Sequence, residues 1–92
     1  MKLQMTDRFK LSENVLSQEV NGETVLLDLN GEAYFGLNEV GTRIWQLLKL
    51  ECTIAEALNT LSDEYDVARD QLENDVGDLL DKLCGDGLIH RK

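Results

Sequence analysis

The side chains that could act as nucleophiles, general bases or metal ligands are few, and they lie far apart in this sequence. The single imidazole, His90, lies two residues before the last one, and the two thiols, Cys52 and Cys84, are 32 positions apart with no CxxC pair. This spacing does not match a zinc site, so both thiols are expected to be reduced and at least half-buried. No P-loop, GxSxG or GxGxxG motif is present. We therefore expect no catalytic residues, no metal, no cofactor and no enzymatic activity.

A run of acidic side chains could be mistaken for a cluster of metal ligands. Residues 63–81 hold eight acids against the single base Arg69, so this segment carries −7 of the chain's net charge of −9. The acids spread around a predicted helix and lack the glycine and spacing of an EF-hand loop, which indicates no metal site. Two interpretations stay open: a solvated face that maintains solubility, or a face that attracts a basic peptide.

The other groups that could bind a partner belong to the backbone. Ala33, Tyr34, Phe35, Gly36 and Leu37 have the pattern of a strand, the third in a predicted antiparallel meander. In a simple meander the third strand lies at an edge, where unpaired N–H and C=O groups can pair with a strand from a partner. The strand could equally pack within its own domain, and spacing alone leaves both interpretations open.

The elements that would position this edge follow from hydrophobic periodicity. Strands are predicted at about residues 14–20, 24–29 and 33–37, joined by turns at Asn21-Gly22 and Asn30-Gly31, because Asn-Gly accepts the positive φ angles of a type I′ turn. Helices are predicted at about residues 38–50, 53–65 and 67–84, with Asn38, Thr53 and Asp66 as N-caps. Residues 1–12 are predicted to form an irregular arm, and Leu88-Ile89-His90 a short extended segment.

These elements predict a single α+β domain over residues 1–92, with a three-stranded antiparallel sheet followed by three helices. No apolar run approaches the roughly 18–20 residues that span a bilayer, and the start of the chain lacks the apolar core of a secretion signal. A cytoplasmic protein is therefore expected. The charge of −9 disfavours nucleic acid and anionic membranes as partners.

The ordered pattern of residues resembles the PqqD-like family, the recognition elements for ribosomally made, post-translationally modified peptides. The likeness covers roughly residues 14–90. It is carried by Tyr34-Phe35-Gly36-Leu37-Asn38-Glu39-Val40-Gly41 with Ile44, Trp45, Leu47 and Leu48, then by residues 53–58, 64–67, 72–76, 79–83 and 87–89. The resemblance implies a winged-helix-like fold. It also implies that the protein binds the leader segment of a precursor peptide and presents the core segment to a modifying enzyme, either a leader peptidase or a radical SAM maturase.

The resemblance further implies where the leader binds. The leader would add antiparallel to the strand Ala33–Leu37 and lie in a cleft between that strand and the third helix. The helix contacts would come from some of Arg69, Leu72, Glu73, Val76 and Leu80, and which of them face the cleft stays open. Family members of the quinone cofactor pathway carry a proline-containing turn before this strand, whereas this chain contains no proline. The departure favours a generic or lasso-peptide system over PQQ biosynthesis.

Three alternatives stay open beside this interpretation. The chain could be an accessory protein of PQQ biosynthesis, or a small regulatory or scaffold subunit that does not contact the substrate. A winged-helix nucleic-acid binder would have the same order of elements but is disfavoured by the charge. A homodimer also stays open, because a free sheet edge can pair with a second copy.

Overall fold

The computed structural model describes residues 4–29 and 33–92. The predicted turn at Asn30-Gly31 lies outside the described residues. Along the chain the elements are β1 (Phe9–Leu11), β2 (Val15–Val20), β3 (Glu23–Asp28), β4 (Ala33–Leu37), α1 (Glu39–Lys49), α2 (Ile54–Glu64), α3 (Arg69–Gly85) and β5 (Ile89–Arg91). The described elements therefore include the three predicted strands and three predicted helices, with ends within two residues of the prediction.

The main sheet is an antiparallel meander with the strand order β2-β3-β4. Its first turn has φ angles of 54° at Asn21 and 82° at Gly22, the positive values that a type I′ turn requires. A separate two-stranded sheet pairs β1 with β5. The predicted class, a three-stranded antiparallel sheet followed by three helices in an α+β fold, is confirmed.

The prediction of an irregular arm over residues 1–12 is wrong for Phe9–Leu11, which form β1. The partner strand β5 lies some 80 positions later in the chain, so no local pattern indicated the pairing. Phe9 is 1% exposed, and the Arg91 guanidinium lies over its ring at 5.9 Å from the centroid. Arg91 also forms an ion pair with Asp7 at 3.1 Å. These contacts attach both ends of the described chain to the core.

Two of the three helices begin with the predicted N-cap residue. The Asn38 side chain accepts a hydrogen bond from the Gly41 amide, and Thr53 and Glu56 form the predicted capping box. The prediction of Asp66 as a cap is wrong, because α3 begins at Arg69 with Ala68 as an N-cap that makes no side-chain hydrogen bond. The start of α3 is consistent with the packing of its buried stripe against the core, which outweighs local cap preference.

The core lies between the three helices and one face of the main sheet. That inner sheet face contributes Leu26 and Leu37, while Val15 and Phe35 are half-buried against the same cluster. Trp45 of α1 is the largest side chain in it and is 2% exposed. No helix among the described residues has the length and apolar content needed to cross a membrane. No helix of the described chain packs on the sheet's other face.

A two-pronged ion pair joins α1 to the end of α2. Arg43 Nε donates to Glu64 Oε1 at 2.8 Å, and Arg43 Nη2 donates to Glu64 Oε2 at 2.7 Å. The hydrogen bond from Arg43 lowers the pKa of Glu64, and the hydrogen bond to Glu64 raises the pKa of Arg43. Because α1 follows directly from β4, this contact helps to fix the helix layer relative to the sheet.

The pair predicts a pH-dependent contribution to stability. A carboxyl group whose pKa is lowered by folding stabilises the native state above its unfolded pKa of about 4.3, and that contribution is lost as the pH falls through the folded pKa. Both side chains are about one-third exposed, so we expect Glu64→Gln to lower the free energy of unfolding by only about 0.5 kcal/mol at pH 7. Urea unfolding at pH 7 and at pH 3 measures the effect. The difference from wild type should be smaller at pH 3 than at pH 7, whereas the neighbouring exposed variant Asp63→Asn should show little effect at either pH.

Candidate functional site

The free edge of β4 is the first feature of the candidate site. In the described part of the chain β4 pairs with β3 on one side, with Leu26 opposite Phe35 and Thr24 opposite Leu37. No strand of the described chain pairs with its other side. An edge of this kind leaves alternate N–H and C=O groups available to a partner.

The hairpin between β2 and β3 determines which backbone groups of β4 point outward. In a two-residue hairpin the flanking residues, here Val20 and Glu23, form a hydrogen-bonded pair, and such pairs recur at every second residue. The Leu29 amide donates to the Asn14 carbonyl at 2.9 Å, which fits the same alternation.

The odd-numbered residues of β3 therefore bond to β2, and its even-numbered residues bond to β4. Since Leu26 and Thr24 face Phe35 and Leu37, these two β4 residues direct their backbone groups inward to β3. Tyr34 and Gly36 direct theirs to the free edge.

The joint between β4 and α1 holds this edge at a fixed angle. Asn38 is the one residue between the two elements, and it caps the helix. The Thr42 hydroxyl, which is 3% exposed, donates to the Leu37 carbonyl at 3.4 Å. A Cβ atom at Gly41 would lie 3.3 Å from both Leu37 Cβ and Asn38 Oδ1. Glycine thus permits the close approach of the first helical turn to the end of the strand.

A cleft of about 410 Å³ runs beside the edge, between the β4–α1 joint and α3. One side of it is formed by the end of β4 and the first turns of α1, and the other side by the middle of α3. The lining residues are Gly36, Leu37, Asn38, Val40, Gly41, Ile44, Asp75, Asp78 and Leu79. The cleft therefore combines an apolar floor with carboxylates on one wall.

The α3 side of the cleft is a stripe of the helix that adjoins its buried stripe. Asp75, Asp78 and Leu79 line the cleft, and Lys82 follows at the same helical spacing. The Lys82 ammonium lies over the Phe35 ring, 5.2 Å from its centroid, which links α3 to β4 by a cation–π contact. The wall thus presents negative charge near Leu37 and positive charge near Phe35.

The helix residues predicted from the sequence lie elsewhere on α3. Leu72, Val76 and Leu80 are buried in the core, each at most 2% exposed, so a peptide would reach them only after displacing what covers them. Arg69 donates to Asn59 of α2 at 3.0 Å. Glu73 is half-buried. None of these five lines the cleft, and their contact with a peptide stays a prediction.

Sequence reasoning missed the stripe that does line the cleft, Asp75, Asp78, Leu79 and Lys82. A signal was present, because these residues follow the spacing i, i+3, i+4, i+7. Of the predicted strand residues, Tyr34 is 74% exposed, Gly36 and Leu37 line the cleft, and Phe35 is half-buried beneath Lys82. Ala33 completes the strand opposite Asp28.

The described residues offer little to covalent or metal chemistry. Burial raises the pKa of both thiols, Cys52 and Cys84, so they stay protonated at neutral pH and are weak nucleophiles. No group of three or more His, Cys, Asp or Glu side chains in residues 4–29 and 33–92 could hold a metal ion. What the site can offer is a backbone edge, an apolar floor and a charged wall, which are the requirements for binding an extended peptide.

Comparison with known proteins identifies relatives of this chain. A family profile described as coenzyme PQQ synthesis protein D (PqqD) matches residues 23–89. A solved structure described as TbiB1 in complex with the TbiA(beta) leader peptide is 38% identical, with a TM-score of 0.83 over 88% of this chain and 94% of that one.

A second solved structure is described as lasso peptide synthetase B1 complexed with the leader peptide. It is 28% identical, with a TM-score of 0.81 over 89% of this chain and 96% of that one. No curated protein sequence matches the chain. Both comparisons cover nearly the whole length of the solved relatives, so the likeness extends over most of this fold.

The alternation of backbone groups along β4 can be tested by amide hydrogen exchange. We expect the amides of Tyr34 and Gly36 to exchange within about tenfold of the unfolded-chain rate, and those of Phe35 and Leu37 to be protected at least about a hundredfold. Val25 and Leu26 are internal controls, and both should be slow because β3 has a partner on each side. Equal protection of all four β4 amides would contradict the derived alternation.

Proposed function

Since the chain belongs to the PqqD family, we propose that it binds the leader segment of a ribosomally made precursor peptide by strand addition to β4. The observation that carries this proposal is the free edge of β4 beside a cleft of about 410 Å³. Two structures similar to this chain are described as complexes with leader peptides. Backbone pairing would align the leader, and side chains in the cleft would select its sequence.

Because the backbone groups of β4 alternate between its two sides, the side chains of a paired leader would alternate between the outer sheet face and the cleft. A leader strand that pairs antiparallel would exchange hydrogen bonds with Tyr34 and Gly36, and its side chains at those positions would point away from the core. The leader residues opposite Phe35 and Leu37 would point into the cleft, toward α3. The residue opposite Leu37 would approach Leu79 and Asp78, and the residue opposite Phe35 would approach Lys82.

The α3 wall gives the acidic helix face a role in this proposal. A leader side chain with an apolar stem and a cationic head would contact Leu79 and Ile44 through its stem and Asp75 or Asp78 through its head. We retain Arg69, Leu72, Glu73, Val76 and Leu80 as second-rank candidates, which would contact the peptide only if α3 shifts on binding.

The chemistry on the precursor would then belong to a partner. We propose that this protein itself catalyses nothing and presents the core segment to a modifying enzyme, a leader peptidase or a radical SAM maturase. We also propose that residues 1–92 act as one recognition domain, and that the complex works in the cytoplasm, where precursor peptides are made.

PQQ biosynthesis is the second candidate, because the family profile carries that description. The likeness to TbiB1 and to a lasso peptide synthetase B1 favours a lasso-peptide system, in agreement with the absence of proline from the chain. Titration with the TbiA(beta) leader and with the leader of a PQQ precursor would distinguish the two. Tighter binding of the PQQ leader would reverse our preference.

Strand addition predicts a specific effect of proline at Gly36. Proline removes an N–H that points to the free edge, which edge strands tolerate, and the Cβ position there has no atom within 4 Å. We expect Gly36→Pro to stay folded and to bind the leader at least about tenfold more weakly, because one backbone bond is lost and the ring obstructs the edge. Fluorescence anisotropy with the labelled TbiA(beta) leader provides the measurement.

Two further variants serve as controls for this experiment. Gly36→Ala retains the N–H and should bind within about twofold of wild type. Phe35→Pro removes an N–H that bonds to β3 and should lower the melting temperature. Circular dichroism should therefore separate Phe35→Pro from Gly36→Pro. Unchanged leader affinity in a folded Gly36→Pro variant would contradict strand addition at this edge.

The charged wall predicts that salt weakens leader binding. Exposed charges are screened over roughly 8–10 Å at physiological ionic strength, so affinity should fall between 50 mM and 500 mM salt if the leader carries a basic residue into the cleft. Asp78→Asn should reduce both the affinity and its salt dependence. The matched variant Asp70→Asn, at the start of the same helix and outside the cleft, should leave both unchanged. Unchanged affinity in both variants and at both salt concentrations would leave the acidic face with a role in solubility alone.

A further inference from the structure

The outer face of the β2-β3-β4 sheet, the face turned away from the helices, is unusually apolar. Eight large apolar side chains are exposed in the part of the chain that the structure describes. Five of these lie on or at the end of this face: Leu16, Val20, Val25, Leu29 and Tyr34. A solvated face of an antiparallel sheet normally carries polar residues. This concentration on one side of one sheet therefore indicates a surface that another protein covers.

The register shows that these side chains form a continuous surface. Leu16 lies opposite Leu27, and Leu27 lies opposite Tyr34, so one apolar row crosses all three strands. Val25 continues the surface on the next row, beside Gly36. A shallow depression of about 380 Å³ is lined by residues of both rows. The outer face thus offers an apolar contact area with a shallow depression in it. Because Gly36 has no side chain, nothing on β4 covers the surface beside Val25.

The charges around this surface restrict its occupant. Residues 11–42, which include the whole main sheet, contain six acidic side chains and no lysine or arginine. A second copy would bring two such sheets and two net charges of −9 together, which like-charge repulsion opposes. An anionic membrane is opposed for the same reason. The complementary partner is a protein with an apolar patch surrounded by basic side chains.

The surface is also continuous with the edge where the peptide would bind. Tyr34 belongs to both, since its backbone points to the free edge and its side chain, 74% exposed, lies at the end of the apolar row. A strand added to β4 would extend the sheet, and its side chains opposite Tyr34 and Gly36 would lie on the outer face. The bound peptide would therefore extend the outer face by one strand.

From these observations we propose that the outer sheet face, defined by Leu16, Val20, Val25, Leu27, Leu29 and Tyr34, docks the enzyme that modifies the bound precursor, through an apolar patch with a basic rim on that enzyme. The inference rests on the proposed function, because the enzyme meets a surface completed by the leader strand. It adds that the enzyme approaches from the side opposite the helices and binds the complex more tightly than the free protein.

The test uses variants on β2 and β3, whose side chains lie on the outer face and whose backbones do not belong to the edge strand. Leu16→Gln combined with Val25→Thr removes apolar surface on β2 and β3, and Leu50→Gln alters an equally apolar side chain, 72% exposed, at the end of α1. The probe is a purified leader peptidase of a lasso-peptide system, and its binding to the immobilised protein is measured by biolayer interferometry with and without precursor. Leader affinity is measured separately by anisotropy.

We expect the double variant to lose at least about tenfold in enzyme affinity, the effect of removing central apolar anchors, and to bind the leader within about twofold of wild type. Leu50→Gln should match wild type in both measurements. Precursor should increase enzyme affinity for the wild-type protein. Precursor processing, assayed with the same variants, should slow in parallel.

Three outcomes would overturn the inference. One is unchanged enzyme affinity in the double variant, and another is enzyme binding that is unaffected by precursor. The third is a wild-type dimer in sedimentation equilibrium that becomes monomeric in the double variant, which would assign the face to a second copy. Failure of the wild-type protein to bind the leader would instead contradict the proposed function, and the anisotropy measurement detects that separately.

Discussion

Backbone hydrogen bonding in an antiparallel sheet allows each residue to serve only one neighbouring strand, and the rest of this structure depends on that constraint. The turn at Asn21-Gly22, with positive φ at both residues, sets which residues of β3 bond to β2. The opposite set must bond to β4, so Phe35 and Leu37 complete the sheet. Tyr34 and Gly36 are thereby left with backbone groups at the edge. A turn 13 residues before Tyr34 thus determines which amides a partner can use.

An open backbone edge is useful only if something beside it discriminates among partners, and α1 and α3 supply that. The one-residue joint at Asn38 and the tight contact at Gly41 fix α1 against the end of β4. The cation–π contact between Lys82 and Phe35 then connects α3 to the same strand across the cleft. An extended peptide beside β4 would consequently meet side chains from two helices that are already packed in place, which lowers the ordering cost of binding on the protein's side.

Local signals in the sequence were sufficient for the meander, its edge strand and the Thr53 capping box, because each depends on neighbouring residues. They were insufficient for β1, whose hydrogen-bonding partner β5 is far along the chain. The residues of α3 that line the cleft were not predicted, for a different reason. Helix α3 is polar enough that Leu72, Val76 and Leu80 are natural candidates for any contact, yet all three are already buried in the core cluster. Which adjacent stripe faces β4 depends on the rotation of α3 in the packed core, and periodicity alone does not give that angle.

The alternation that divides the backbone groups of β4 between two sides also divides its side chains between two faces. Binding of the peptide and its presentation to an enzyme can therefore use different side chains. Phe35 and Leu37 point toward the core and the cleft, while Tyr34 points to the outer face. A peptide strand in register would present alternate side chains to the same two sides. Those in the cleft would provide sequence selection, and those outside would add nothing to it. An enzyme could contact these outer side chains without weakening the binding of the peptide to the domain. A domain with no catalytic groups of its own could in this way both hold a substrate and display it.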